Sequence, residues 1–404
     1  MQTELADFIR DTPEGREADA ILRKCVHCGF CTATCPTYQL LGDELDGPRG
    51  RIYLVKQLLE GAPPTAKTQL HLDRCLTCRS CETTCPSGVR YGRLADIGRA
   101  IVEEKVGRGA WDRFRRAVLG AVLPNTGLFS FLLSMGRFFR PVLPQPLREK
   151  IPKAAESRGD WPAPRHARKM LVLAGCVQPA LAPRINAAAA RVLDRQGISL
   201  IEVQGAGCCG AVRFHLDDQA GGRDDMRALI DAWWPAIERG EVEAIVMTAS
   251  GCGSFVRDYP HHFQDDAAYQ DDAAYRDKAA RVSALTRDLS EVVLESNLQK
   301  RTGKVVFQSP CSLQHGQQIR GKAEALLRSA GYDLAPVADG HLCCGSAGTY
   351  SILQPELSMQ LRDRKLQALG TGAPAVIATA NIGCLTHLQS GTQTPVKHWI
   401  ELLE

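Results

Sequence analysis

The sequence predicts an α+β multidomain protein, with an N-terminal all-helical domain followed by a duplicated α/β cysteine-rich domain. Eight cysteines between Cys25 and Cys85 fall in two copies of Cys-x2-Cys-x2-Cys-x3-Cys-Pro. Beyond residue 169 the order strand, cysteine, helix, strand, Cys-Cys-Gly, helix, strand, Gly-Cys runs twice. A length of 404 residues, 44% of them apolar and 23% charged, gives room for two or three ordinary globular domains.

The ladder reads CVHCGFCTATCP from Cys25 and CLTCRSCETTCP from Cys75. That run holds a [4Fe-4S] cluster in bacterial two-cluster ferredoxins, where the fourth cysteine of each run serves the other cluster. Two residues between cysteines let a short loop offer three thiolates to three irons of a cube, and the fourth iron takes its ligand from elsewhere. One cluster is therefore expected on Cys25, Cys28, Cys31 and Cys85, and a second on Cys75, Cys78, Cys81 and Cys35. The proline after each fourth cysteine is expected to turn the chain away. Zinc also accepts four thiolates, but a zinc ribbon sets two Cys-x-x-Cys knuckles well apart instead of three cysteines at steps of three. Sixteen cysteines behind the polar leader MQTELADFIRDTPEGREAD, which lacks a secretory pattern, point to reduced thiols in a cytosolic compartment and to metal or redox work.

Residues 1–24 read as a lead-in helix with Leu5, Phe8, Ile9, Ala20, Ile21 and Leu22 as apolar contacts. Between the ladders lie the 39 residues from Pro36 to Arg74. They carry a helix over about Arg49 to Glu60, entered through Gly47, Pro48 and Gly50. So long a separation favours an all-helical two-cluster domain over residues 1–107. Arg49 and Arg51 read first as an ordinary helix start and second as cations able to tune a cluster or dock a partner. A further helix covers about Leu94 to Val106.

Residues 108–168 form a basic and apolar segment ending in a Pro-rich linker. From Arg108 to Arg168 there are twelve Lys or Arg against four Asp or Glu, a balance suited to an anionic membrane surface, an acidic subunit or plain solvation. Within it, AVLGAVLPNTGLFSFLLSM (Ala117 to Met135) is broken at Pro124 and Asn125 and flanked by Arg115, Arg116, Arg137 and Arg140. That pattern fits an interfacial hairpin better than a span, the alternative being two helices packed on the protein's own core or on another subunit. Pro141, Pro144, Pro146, Pro152, Pro162 and Pro164 then mark the linker.

The repeats are expected at 169–296 and 297–404. In both, 31 residues separate the lone cysteine from the pair, and the final cysteine follows a third strand. Parallel crossovers place these cysteines at the carboxyl ends of strands, where open α/β sheets bind ligands. Cys176, Cys208, Cys209 and Cys252, and then Cys311, Cys343, Cys344 and Cys384, are thus candidate metal ligands for a further iron-sulfur cluster or zinc. Gly207, Gly210, Gly251, Gly253, Gly345 and Gly383 would let the backbone approach a bulky inorganic centre. His315, His341 and His387 are expected to hydrogen-bond near sulfur or sit at the surface in preference to ligating. The tandem DDAAY at 265–269 and 271–275 is assigned no chemistry.

CVHCGFCTATCPTYQLLGDELDGPRGRIYLVKQ, CLTCRSCETTCPSGVRYGRL, GCCGAVRFHL, TASGCGSFV, LCCGSAGTY and NIGCLTHL carry a resemblance to the iron-sulfur subunits of glycolate oxidase, also called glycolate dehydrogenase, over essentially the full length. Narrower likeness extends to heterodisulfide reductase, lactate-utilisation and anaerobic glycerol-3-phosphate dehydrogenase subunits. The resemblance implies two [4Fe-4S] clusters and FAD-binding partner subunits that oxidise glycolate to glyoxylate. It also implies quinone as final acceptor and a peripheral place on the cytoplasmic membrane. Flavin binding and substrate chemistry are expected on the partners, with no nucleic acid involved. In many domains with this Cys-Cys-Gly motif the last cysteine has a partner three residues earlier. Here Ala249 and Asn381 stand in that place, which argues against disulfide reductase chemistry. A different class of protein, a zinc-bearing module docking a membrane-associated flavoprotein, stays open at this level.

Overall fold

The computed structural model describes residues 1–142, 144, 157–263 and 273–404. Pro146, Pro152 and most of the tandem DDAAY lie outside them. The lead-in helix resolves into two, Asp7–Arg10 and Pro13–Lys24, because Thr12 ends one and caps the other. Its hydroxyl accepts the Gly15 amide at 3.0 Å, and Pro13 fills the first position, where an N–H would go unpaired. Glycine is required at 15, since a Cβ would fall 1.8 Å from the Ile9 carbonyl oxygen. Phe8, expected inside, stands exposed beneath the Lys105 ammonium, 3.6 Å from its ring centroid.

Pro48–Leu59 and Tyr91–Val106 form the central helix pair, crossing at Gly98, where a Cβ would meet Val55 Cγ2 at 2.5 Å. Leu22, Val55, Leu58, Leu59, Leu72 and Leu94 make the fully buried core of this domain. Each such side chain contributes about 1.5–3 kcal/mol by leaving water.

The broken apolar segment forms two helices, Ala110–Val122 and Thr126–Phe139, and no residue of either is buried. The bend is fixed by Pro124 and by Asn125, whose side chain accepts the Leu128 amide at 2.9 Å. Among the described residues no single helix is long and apolar enough to cross a bilayer, while the pair, bent by 106°, passes together on length and composition. Its root is an ion network. Arg108 meets Asp73 at 2.7 Å, Glu103 at 2.6 Å, Asp112 at 3.2 Å and Asp217 at 2.8 Å, and Arg116 reaches Asp112 and Asp217 at 3.1 Å each.

The remaining chain builds two parallel four-stranded sheets of identical topology. β1 (Arg168–Val172), β2 (Ile198–Glu202), β3 (Ala244–Met247) and β4 (Thr286–Asp288) are ordered β2-β1-β3-β4. β5 (Lys304–Gln308), β6 (Asp333–Ala335), β7 (Val376–Thr379) and β8 (Val396–His398) repeat this as β6-β5-β7-β8. β4 and β8 add a fourth strand to each of the three expected. The units share one core, in which Val172, Ala188 and Leu193 of the first meet Val305, Phe307 and Trp399 of the second. Trp399–Leu402 closes onto Arg184–Arg195, the helix of the first unit whose Arg195 donates to the Leu403 carbonyl at 2.9 Å. Buried His398 Nε2 donates to the Thr248 carbonyl at 2.9 Å.

Candidate metal and electron-transfer sites

The two ladder loops share one backbone design. His27 and Gly29 in the first, and Thr77 and Arg79 in the second, adopt positive φ of 57°, 82°, 51° and 60°. Such residues reverse the chain between successive cysteines, and three of the four are not glycine, so strain is held by the surrounding structure. Pro36 opens the helix Pro36–Leu41, whereas Pro86 begins only a turn. All sixteen cysteines are free thiols.

The loops bring the cysteines into two groups. Cys25, Cys28, Cys31 and Cys85 line an open pocket with Val26 and Phe30, and Cys81 reaches its wall. Burial, then the neighbouring Cys25, Cys85 and Cys28 thiolates, push the Cys31 thiol up to about 11. Cys28 is exposed. Cys35, Cys75, Cys78 and Cys81 form the second group, deeper inside. Burial drives Cys78 and Cys81 well up, and the charges of Cys35 and Cys75 add to it. Cys75 behaves oppositely. Burial alone would raise it, but the Arg51 and Arg99 guanidinium groups hold it below the ordinary thiol value.

Each repeat gathers its four cysteines in the same order. Thiol contacts run Cys176–Cys208–Cys209–Cys252 in the first and Cys311–Cys343–Cys344–Cys384 in the second. Gly210 N donates to Cys208 Sγ and Gly345 N to Cys343 Sγ, each at 3.4 Å. Gly210 and Gly345 have φ of +85° and +88°, and a Cβ on either would lie 2.5 Å from a carbonyl oxygen. Asn381, in place of a fifth thiol, donates to Cys384 Sγ at 3.7 Å and accepts the Gly251 amide at 3.1 Å, which ties the repeats together.

The histidines serve hydrogen bonds. His315, kept neutral by burial, donates from Nε2 to the His341 carbonyl at 2.9 Å and meets the Thr83 hydroxyl through Nδ1 at 2.8 Å, joining the second repeat to the helical domain. His387 Nε2 lies 3.1 Å from Ser358 Oγ, and His341 is half-buried.

Two features escaped the sequence. Leu76 and Cys78 of the second ladder loop share one apolar cluster with Cys311, Cys343 and Tyr350 of the second repeat. Lys365, only 3% exposed, donates to the Asp339 and Gly340 carbonyls at 3.2 and 3.0 Å, with Cys311 and Cys344 acting on its charge. A lysine in the helix Pro355–Gly370 carries no signal of burial in its pattern.

A family model described as a 4Fe-4S dicluster domain matches residues 21–89, and one described as a cysteine-rich domain matches 170–257 and 305–389. The glycolate oxidase iron-sulfur subunit of Escherichia coli (strain K12) is 55% identical over 408 residues, covering 100% of this chain and 98% of that protein. This chain belongs to the glycolate oxidase iron-sulfur subunit family. The probable glycolate oxidase iron-sulfur subunit of Bacillus subtilis (strain 168) is 30% identical over 92% of this chain and 89% of its own length. Lactate utilization protein A of Exiguobacterium sp. is 26% identical over 56% of this chain and 94% of its own.

The dicluster domain implies two [4Fe-4S] clusters, and the residues of this family member fit them. The two groups of four thiols come from runs with the sequence spacing such clusters take. Beside the second group, the buried Tyr91 hydroxyl is directed at the Cys75 sulfur, and the buried Ser80 hydroxyl between Cys78 and Cys81 is unpaired. Buried donors of this kind are satisfied by sulfur of a cluster and its thiolates.

Proposed function

We propose that this chain is the electron-transfer subunit of a flavin-dependent glycolate dehydrogenase complex, in which FAD-binding partners oxidise glycolate to glyoxylate and electrons pass towards membrane quinone. The observation that carries it is the packing of the inner ladder tetrad on the second repeat, where Leu76 and Cys78 share an apolar cluster with Cys311 and Tyr350, in a chain related over its whole length to a glycolate oxidase subunit. Cys25, Cys28, Cys31 and Cys85 would hold one cluster and Cys35, Cys75, Cys78 and Cys81 the other. Bound there, the clusters supply one-electron acceptance and release.

The chain's own part is to hold and insulate. Positive-φ residues aim the thiols inward, and Leu76 with Tyr350 keeps water from the inner tetrad. The eight repeat cysteines are candidate ligands for a further cluster or zinc. Divisions near residues 107, 168 and 296 separate these working parts. A seat on the inner face of an anionic membrane is supported by the hairpin, where Trp111, Phe114, Phe131 and Phe138 are exposed beside the exposed Arg113.

The test is co-purification with the flavoprotein subunits, followed by metal analysis and glycolate-dependent dye reduction. About eight irons with matching sulfide, at least, are expected from two cubane clusters. Cys28→Ser or Cys78→Ser should remove a spin-resonance signal and halt dye reduction. Full activity in either variant refutes the reading.

A further inference from the structure

The two ladder tetrads face unlike charge. Arg51 is 1% exposed, and its guanidinium donates to the His71 carbonyl at 2.7 Å, Thr37 Oγ1 at 3.1 Å and Asp46 Oδ1 at 3.3 Å. Arg99, from the helix Tyr91–Val106, donates to the Cys75 carbonyl at 2.6 Å, the Leu72 carbonyl at 2.8 Å and Thr77 Oγ1 at 3.0 Å. Arg99 therefore clasps the loop that bears Cys75, while Arg51 holds Thr37, whose hydroxyl lies 3.3 Å from Cys35 Sγ. Asp46 offsets part of this charge, but it is itself shared with Arg74 at 2.9 Å and His71 at 3.1 Å. Asp96 and Asp217 also act on Arg99, while Cys75 feels Arg51 and Arg99 most strongly after burial.

The counter-charge of the outer tetrad is less enclosed. The N-terminal ammonium, only part-buried, donates to the Cys25 carbonyl at 2.7 Å and the Leu22 carbonyl at 3.0 Å. The side-chain cation on this side, Arg49, is 35% exposed and bound in a bidentate pair by Glu44 at 2.6 and 3.0 Å. Water and Glu44 together screen it. Reduction adds one negative charge to a buried centre, and a fixed cation in a low-dielectric interior stabilises that extra charge. Arginine keeps its proton throughout, so the bias does not titrate away.

We propose that Arg51 and Arg99 set the inner site, Cys35–Cys75–Cys78–Cys81, at a higher reduction potential than the outer site, Cys25–Cys28–Cys31–Cys85. The exposed site is then the place of entry from a reduced flavin partner, and the equilibrium favours an electron residing inward, on the side of Cys311. This rests on the reading of both tetrads as cluster sites.

The experiment is a spin-resonance redox titration of the full chain, loaded with iron and sulfide, in its complex. Two reduction steps are expected in the unaltered protein. Arg51→Met should shift the electron-sharing equilibrium between the sites at least tenfold towards the outer one, which is 59 mV for a one-electron couple. Only the higher step should fall. Arg51→Lys keeps the charge and should leave it near its original value. Arg99→Gln, which spares the Asp46 network, should lower the same step and serves if Arg51→Met loads poorly. Loaded variants with unmoved steps, or with both steps moving together, overturn the proposal while leaving the cluster sites standing. An unaltered chain with no clusters overturns the underlying reading and this proposal with it.

Discussion

Replacing Arg108 by Met should release the apolar hairpin from the body of the protein. The Arg108 side chain is only 6% exposed, and its four carboxylate partners belong to three parts of the chain: Asp73 and Glu103 in the helical domain, Asp112 in the hairpin and Asp217 in the first repeat. Removing one partner of a buried ion pair costs about 3–5 kcal/mol. Arg116 remains within 3.1 Å of Asp112 and Asp217 and 3.6 Å of Asp73, and the carboxylates are partly solvated, so part of the network survives. A loss of about 2–3 kcal/mol is expected, which raises the detached population roughly 30- to 150-fold. Brief trypsin treatment reads that population directly, because cleavage follows the opening equilibrium when reclosing is fast. Fragments ending at Arg113 and Arg115 should appear faster by the same factor, and less so as salt is raised. Unchanged rates of those cuts would show that the network does not hold the hairpin.

The crossing of the fourth ligands can be read from iron counts. Cys28→Ser with Cys85→Ser should leave about four ladder irons, like either change alone, whereas Cys78→Ser with Cys85→Ser should leave about none, against eight for two intact clusters. Burial raises Asp288 to about 6 from an unfolded value of 3.8. The folded state thus binds more protons across that interval, and stability falls as pH rises from about 4 to about 6. Asp288→Asn keeps a helix-capping side chain, so its melting temperature should lack that slope and exceed the parent's at pH 7. Gly345→Ala drives a Cβ to 2.5 Å from the Ser358 carbonyl and should cost roughly 2–4 kcal/mol, read as a lower melting temperature. Gly348→Ala, at φ +62° with nothing within 4 Å, should cost only about 1–2 kcal/mol.

Much of this architecture is legible in the sequence because its signals are local. Three cysteines at steps of three dictate a loop, and a spacing of 31 residues recurring with Cys-Cys-Gly reveals the duplication. The broken hairpin is written in Pro124 and Asn125. By contrast, β4 and β8 are three residues each, too short for an alternating pattern, and exist through pairing with β3 and β7. The contact of Cys78 with Cys311 and the burial of Arg51 and Lys365 arise from how distant segments meet. An arginine between Gly50 and Ile52 looks the same in sequence whether it faces water or buried Asp46. Phe8 fails in the other direction, as an apolar residue left outside under a lysine.

The seat of Trp399 and Ile400 in the first unit's core gives the protein an awkward order of manufacture. Both side chains are fully buried against that unit, and Arg195 and Thr248 wait for Leu403 and His398. A ribosome adds about 5–20 residues each second, and domains ordinarily fold as they emerge. Here the first sheet ends at Asp288, about 110 residues before the segment at Trp399 that covers Ala188 and Leu193 of its helix Arg184–Arg195. Its apolar face must stand open, or be sheltered by a chaperone, until translation has almost ended. A stop codon near residue 398 would therefore damage the unit furthest from it in the duplicated half.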